Sequence, residues 1–208
     1  IFTRSGTSWS QEAKLESSDI QSGDNFGANK VSLSGDTIII PAYTEDTGAS
    51  NRGSAYIFTR SGTSWSQQAK LQASDATSGN QYFGNSVHLS GDVAIVGAMY
   101  YDQGSDTGAA YIYTRSGTSW TQVKKIQSSD IAAGDQFGTD VTIHENNIVV
   151  GARYENANGA EAGAAYFYTR SGTSWTQQQK IVSSDISVDD HFGISVDMDA
   201  TTLVVGAK

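Results

Sequence analysis

Arg170-Ser171-Gly172-Thr173-Ser174-Trp175 is one of four copies of a single hexapeptide, and this recurrence decides how the chain is read. The other copies end at Trp9, Trp65 and Trp120, giving spacings of 56, 55 and 55 residues. Outward from each copy the same landmarks return in the same order. Ser-Asp follows at Asp19, Asp75, Asp130 and Asp185, and Phe-Gly at Phe26, Phe83, Phe137 and Phe192. Gly-Ala stands at Gly97, Gly151 and Gly206, with Pro41-Ala42 in the matching place of the first copy. Gly-x-Ala-Tyr recurs at Tyr56, Tyr111 and Tyr166. Self-similarity at a fixed period marks a repeat architecture, whose units bury their faces only against their neighbours.

The third copy gives the local structure. Residues 139–144 alternate in polarity and predict a first strand. A short turn follows at Glu145-Asn146, where the first two copies have Ser-Gly-Asp, a strong turn sequence. Residues 147–152 are nearly continuously apolar, as an inner strand buried on both faces requires. After a loop of about ten residues, 164–169 predicts a third strand. Arg170 to Ser174 forms a hairpin turn and Trp175 to Ile181 a fourth strand. No segment sustains a helical period. The predicted fold is all-β, a β-propeller of four four-stranded blades, one per repeat. It fills residues 1–208 as a single repeat domain or as a segment of a longer array. The chain opens inside a third strand and closes after a second. Ile1–Leu15 and Gly193–Ala207 are therefore expected to complete one blade, within one chain or between chains.

Composition narrows the function. The 208 residues carry 13 basic and 22 acidic side chains, a net charge of −9. A nucleic-acid groove needs clustered positive charge, so that class is set aside. The absence of cysteine excludes thiol catalysis, disulfides and thiolate metal sites. No apolar run is long enough to span a bilayer as a helix, so membrane insertion is not expected. No signal peptide is visible and residue 1 is Ile, as expected of a processed form, a fragment or the ordered part of something longer. His88, His144 and His191 fall at different repeat positions, and no nucleophile or phosphate-loop motif occurs. The expectation is a protein with neither catalytic activity nor cofactor.

The order Phe-Gly, a following Val, then Val-Val-Gly-Ala and Gly-Ala-Ala-Tyr resembles the FG-GAP repeat, which forms the β-propeller of integrin α subunits and many microbial surface proteins. The resemblance covers nearly the whole chain. It implies an extracellular or cell-surface, non-enzymatic module for adhesion or ligand binding. Calcium-binding members carry an Asp-x-Asp-x-Asp-Gly type loop between the first two strands. Here that turn is only Ser34-Gly35-Asp36, Ser90-Gly91-Asp92, Glu145-Asn146 or Asp199-Ala200-Thr201, too short to supply six to eight oxygens. The family's calcium sites are not carried over, and no metal site is assigned.

Because strands alternate in direction, the loops between strands two and three share one face with the linkers between units. That face collects 14 of the 22 carboxylates, whereas the hairpin arginines Arg4, Arg60, Arg115 and Arg170 lie opposite. Two expectations follow. The loops between strands two and three differ most between copies, and variable loops on a rigid scaffold are where binding concentrates. Tyr43, Asp46, Tyr100, Tyr101, Asp102, Tyr154 and Glu155 are the candidates for a protein or glycan ligand. Alternatively, the arginines and Asp19, Asp75, Asp130 and Asp185 are complementary faces by which copies of the chain stack or exchange strands into a filament or surface layer. The repeated tryptophans offer a third possibility, a lectin-like array stacking on sugar rings.

Overall fold

A computed structural model describes residues 1–46, 51–76, 80–101, 105–156 and 159–208. The described residues form strands, turns and connecting loops, with no helix. In chain order, β1 (Phe2–Ser5) and β2 (Ser8–Gln11) make a two-stranded hairpin. β3 (Ser32–Ser34), β4 (Thr37–Ala42), β5 (Ser54–Ser61) and β6 (Ser64–Leu71) form the first antiparallel four-stranded sheet. β7 (Phe83–Ser90), β8 (Val93–Ala98), β9 (Ala109–Ser116) and β10 (Ser119–Ile126) form the second. β11 (Phe137–His144), β12 (Asn147–Ala152), β13 (Ala164–Ser171) and β14 (Ser174–Ile181) form the third. β15 (Ser195–Met198) and β16 (Leu203–Gly206) close the chain as a second two-stranded pair.

The sheets stack as blades. One face of the first, with Ile39, Ile57 and Leu71, packs on Phe83, Val87, Tyr111 and Tyr113 of the second. The second sheet's other face, with Ile95 and Ile112, packs on Phe137, Val141, Tyr166 and Tyr168 of the third. Tyr56, Tyr111, Tyr166, Phe83 and Phe137 are fully buried, so the repeated tyrosines and the two middle Phe-Gly phenylalanines are core, while Phe26 and Phe192 in the outer copies are half-buried. The innermost strands converge on a common axis. Lys30 Nζ donates to Asp140 Oδ1 (3.3 Å), Val141 O (3.0 Å) and Val196 O (3.5 Å), reaching from the first unit to the third and fourth.

The repeated glycines act at the blade junctions. Gly108 has φ +82°, and a Cβ there would stand 2.0 Å from Phe137 O and 2.5 Å from Phe137 N. Gly138 has φ +92°, and its Cβ would meet Ala109 O at 2.3 Å. Backbone meets backbone here, sealed by Phe137 N donating to Thr107 O (2.9 Å). The same handshake recurs one junction earlier and one later.

The two terminal segments expected to complete a fourth blade are, among the described residues, separate two-stranded sheets with no pairing between them. β1 matches only the second half of the eight-residue third strand of the other blades. In the repeat frame the N-terminal end supplies just three of the usual six register partners, Ile1, Phe2 and Thr3. Apolar side chains on these terminal pairs and on the first unit are open: Val31 is 54%, Leu33 64%, Phe2 62% and Val204 64% exposed.

Candidate functional site

Each blade is locked to the linker before it by a repeated polar network. Lys70 pairs with Asp19 (2.7 Å) and with buried Glu45 (3.1 Å). Lys125 pairs with Asp75 (2.7 Å) and donates to Tyr101 Oη (2.8 Å). Lys180 pairs with Asp130 (3.0 Å) and with buried Glu155 (2.9 Å). Burial pushes the three aspartates up. Hydrogen bonds from each lysine and from Ser17, Tyr111 or Ser128 outweigh it, and all three carboxyls sit below their ordinary range. The lysines are raised in turn, their partners overcoming desolvation. Burial pushes the Tyr56 hydroxyl up to about 12, against the pull of Lys70.

These contacts place the sequence candidates. Asp19, Asp75 and Asp130, expected as an assembly surface, are engaged within the chain. Asp185 is hydrogen-bonded to Ser183. The matching lysine of its unit, Lys14, is exposed and pairs with Glu16. The hairpin arginines are engaged too. Arg60 Nη2 stands 2.6 Å from Asp36, Arg115 Nη2 2.6 Å from Asp92, and Arg170 Nε donates to Asn146 Oδ1 (2.9 Å). Each of the three also lies over the tryptophan of its own hairpin, at 5.5 Å, 5.6 Å and 5.5 Å for Trp65, Trp120 and Trp175. Arg4 is exposed on β1, opposite exposed Trp9. In three copies the tryptophan expected to stack on a sugar thus carries its own hairpin arginine over the ring.

Of the loop-face candidates, Tyr101 and Glu155 belong to the lysine networks, at the repeat position that Glu45 fills in the first unit. That shared position was readable in the sequence. Asp46 is exposed and accepts a hydrogen bond from Asn51 N (2.6 Å). Asp102 lies outside the described residues. The remaining three tyrosines lie at the blade junctions. Tyr43 and Tyr100 flank Tyr82, with ring centroids 5.8 Å and 5.1 Å away, and all three rings are half-exposed. Tyr154 is covered by Arg153, whose guanidinium lies 4.6 Å from the ring centre, and meets His191 edge-on at 4.9 Å.

Beside them, where the innermost strands begin, the axis opens into a depression of about 370 Å³ lined by Asn29, Lys30, Asn85, Met99, Asp140 and Arg153 among others. Met99 and Arg153 share a repeat position with Tyr43, and Tyr154 shares one with Tyr100. Here, unlike in the lysine networks, the copies differ in chemistry on one backbone. Sequence reasoning missed Lys30, Asn85 and Tyr82 because they precede or begin the first strand rather than lying in the variable loop.

Four matches to the FG-GAP repeat model cover residues 9–58, 65–113, 120–168 and 175–208. The chain belongs to the FG-GAP repeat family. The uncovered stretches between matches are the hairpin ends of strand three and the start of strand four, where this chain has its own Arg-Ser-Gly-Thr-Ser motif. No curated protein matches the chain. The Phe-Gly and Gly-x-Ala-Tyr landmarks are the two sides of the junction handshake. FG-GAP propeller domains are often involved in ligand binding, and the face described above is where this one varies.

Proposed function

We propose that this FG-GAP propeller is a non-catalytic, extracellular or cell-surface binding module that takes a protein or glycan ligand on its loop face, as an adhesion domain does. The observation that carries the reading is the half-exposed Tyr43–Tyr82–Tyr100 cluster beside the polar axial depression. Rigid aromatics with a polar tip give large contact area at small entropic cost, and such residues dominate binding energetics. Probing the protein on glycan and peptide arrays, then repeating with Tyr82→Ala and Arg153→Ala, tests it. Retention of at least one ligand class, weakened more than about tenfold by Tyr82→Ala, is the expected result. Retention of nothing, or of a ligand indifferent to both variants, contradicts it.

The same reading includes the fourth blade, formed by pairing of β16 with β1 within one chain. Repeat equivalence supports it at three places. Phe2 takes the position of Phe58, Tyr113 and Tyr168, each of which meets its unit's Phe-Gly phenylalanine edge-on at about 6 Å, and would meet Phe192. Lys14 takes the position of Lys70, Lys125 and Lys180 and would reach Asp185. Val204 takes the position of buried Ile39 and would cover Val31 and Leu33. A second reading keeps the same contacts but makes them between copies, building a self-assembled filament or layer. The exposed strip of Phe2, Val31, Leu33 and Val204 favours it, since unpaired edges beside apolar surface recruit other chains.

A further inference from the structure

We propose that the junction between the third and fourth units holds a first-row divalent cation, with His191, Glu161 and Asp189 as its protein ligands. The inference is independent of the ligand-binding reading. One donor atom from each of these residues lies within 4.8 Å of the other two, the one such group among the described residues. His191 Nε2 and Glu161 Oε2 are 3.2 Å apart. Bonds of about 2.0–2.1 Å at tetrahedral angles put neighbouring ligand atoms about 3.3 Å apart, so this edge already has the spacing a zinc-sized ion needs.

Comparison among the repeats shows that the fold itself does not ask for these residues. The three junctions share one backbone arrangement, in which Tyr82 N donates to Asn51 O, Gln136 N to Asp106 O and His191 N to Glu161 O, each at 3.1 Å. The positions of Glu161, Asp189 and His191 are filled by Asn51, Asn80 and Tyr82 at the first junction, and by Asp106, Gly134 and Gln136 at the second. Neither set offers three metal ligands. Only the third junction replaces amides, a phenol and a glycine with two carboxylates and an imidazole.

The electrostatics point the same way. Among the described residues neither Glu161 nor Asp189 has a lysine or arginine partner, and one imidazole is their common neighbour. Two carboxylates within 4.8 Å of each other gain from a cation placed between them. Arg153 lies over Tyr154 and donates to Gln136 Oε1 (2.9 Å). The imidazole is buried and held edge-on by Tyr154 at 4.9 Å, which fixes the ring from which Nε2 projects. Both carboxylates are exposed, so ion entry is open and a fourth position faces solvent. One nitrogen and two oxygens suit zinc and its first-row neighbours, which favour imidazole, over calcium, which takes six to eight oxygens.

The test titrates Zn2+, with Ca2+ in parallel, into the whole chain at neutral pH by calorimetry. It is repeated with the triple variant Glu161→Asn, Asp189→Asn, His191→Tyr, which installs the residues that the same backbone carries at the first junction and so preserves the fold. The far-ultraviolet circular dichroism of the two proteins should coincide. One Zn2+ per wild-type chain, absent from the triple variant and weakened at least about tenfold by His191→Ala alone, is the expected result. Shifts of the His191 ring protons on adding Zn2+ supply a second readout. No uptake by the wild type, or equal uptake by wild type and triple variant, overturns the proposal.

Discussion

Gly108→Ala is expected to lower stability by more than about 4 kcal/mol, beyond the ordinary range for a point substitution, and to abolish cooperative folding if the protein is only marginally stable. Two penalties combine. The residue sits at φ +82°, where an L side chain is strained, and the new methyl would stand 2.0 Å from Phe137 O. That oxygen belongs to the strand opening the next blade, so relief requires the junction to part. Parting would uncover Phe137, Tyr166 and the apolar face of the second sheet. Gly117→Ala is the control. Its φ is +62° but nothing lies within 4 Å of the new methyl. It carries the backbone strain alone, about 1–2 kcal/mol. Urea unfolding followed by tryptophan fluorescence measures both. Similar losses for the two variants would mean that the close approach at the junction is not what Gly108 supplies.

Lys180→Met is expected to cost about 3 kcal/mol, and adding Glu155→Gln to restore most of it. The Glu155 carboxylate is 4% exposed and faces the Lys180 ammonium at 2.9 Å. Removing the cation of a buried ion pair leaves the other charge without its counter-ion, and the loss runs to about 3–5 kcal/mol. Methionine keeps the apolar stem over the Tyr166 ring, so the change reports the charge more than the packing. The second unit shows that a neutral partner is tolerated at this position, because Tyr101 stands where Glu45 and Glu155 stand. Neutralising Glu155 should therefore be benign once the lysine is gone. Thermal melts of wild type, single and double variants decide it. A double variant no more stable than Lys180→Met would show that the uncompensated charge of Glu155 is not the source of the loss.

The fold was legible because every junction uses the same residues. Phe83 and Phe137, Tyr111 and Tyr166, and the paired glycines lie where a fixed period and a strand-turn reading put them. Strand limits also followed closely, since 147–152 is β12 and the turn at Glu145-Asn146 joins β11 to it. Charge was harder to read. The sequence places arginines and aspartates on faces but does not say which of them meet. Arg60 finds Asp36 across one blade, and Lys70 finds Asp19 across a linker. A signal existed in the constant offsets, about one blade-half for the arginines and nearly one repeat for the lysines. The offset becomes meaningful only once strand order is known. The Glu161, Asp189 and His191 group was invisible for the opposite reason. Its members come from two segments separated by a whole hairpin, and nothing in the period marks them, because the other junctions use different residues there.

The central claim, that the two ends of this chain form one blade, has a direct test because the chain lacks cysteine. Thr37 faces Thr59, Val93 faces Thr114 and Asn147 faces Thr169 in the three complete blades. The corresponding pair at the ends is Thr202 and Thr3. Directly opposed residues in an antiparallel pair have Cα atoms about 4.5–5.5 Å apart, within the span of a disulfide. The measurement is oxidation of the Thr3→Cys, Thr202→Cys variant at low concentration, with the products weighed by non-reducing mass analysis. Complete conversion to an oxidised species of single-chain mass, near 22.1 kDa, is the result predicted. Thiols that stay free, or covalent multimers in place of the monomer, would contradict it.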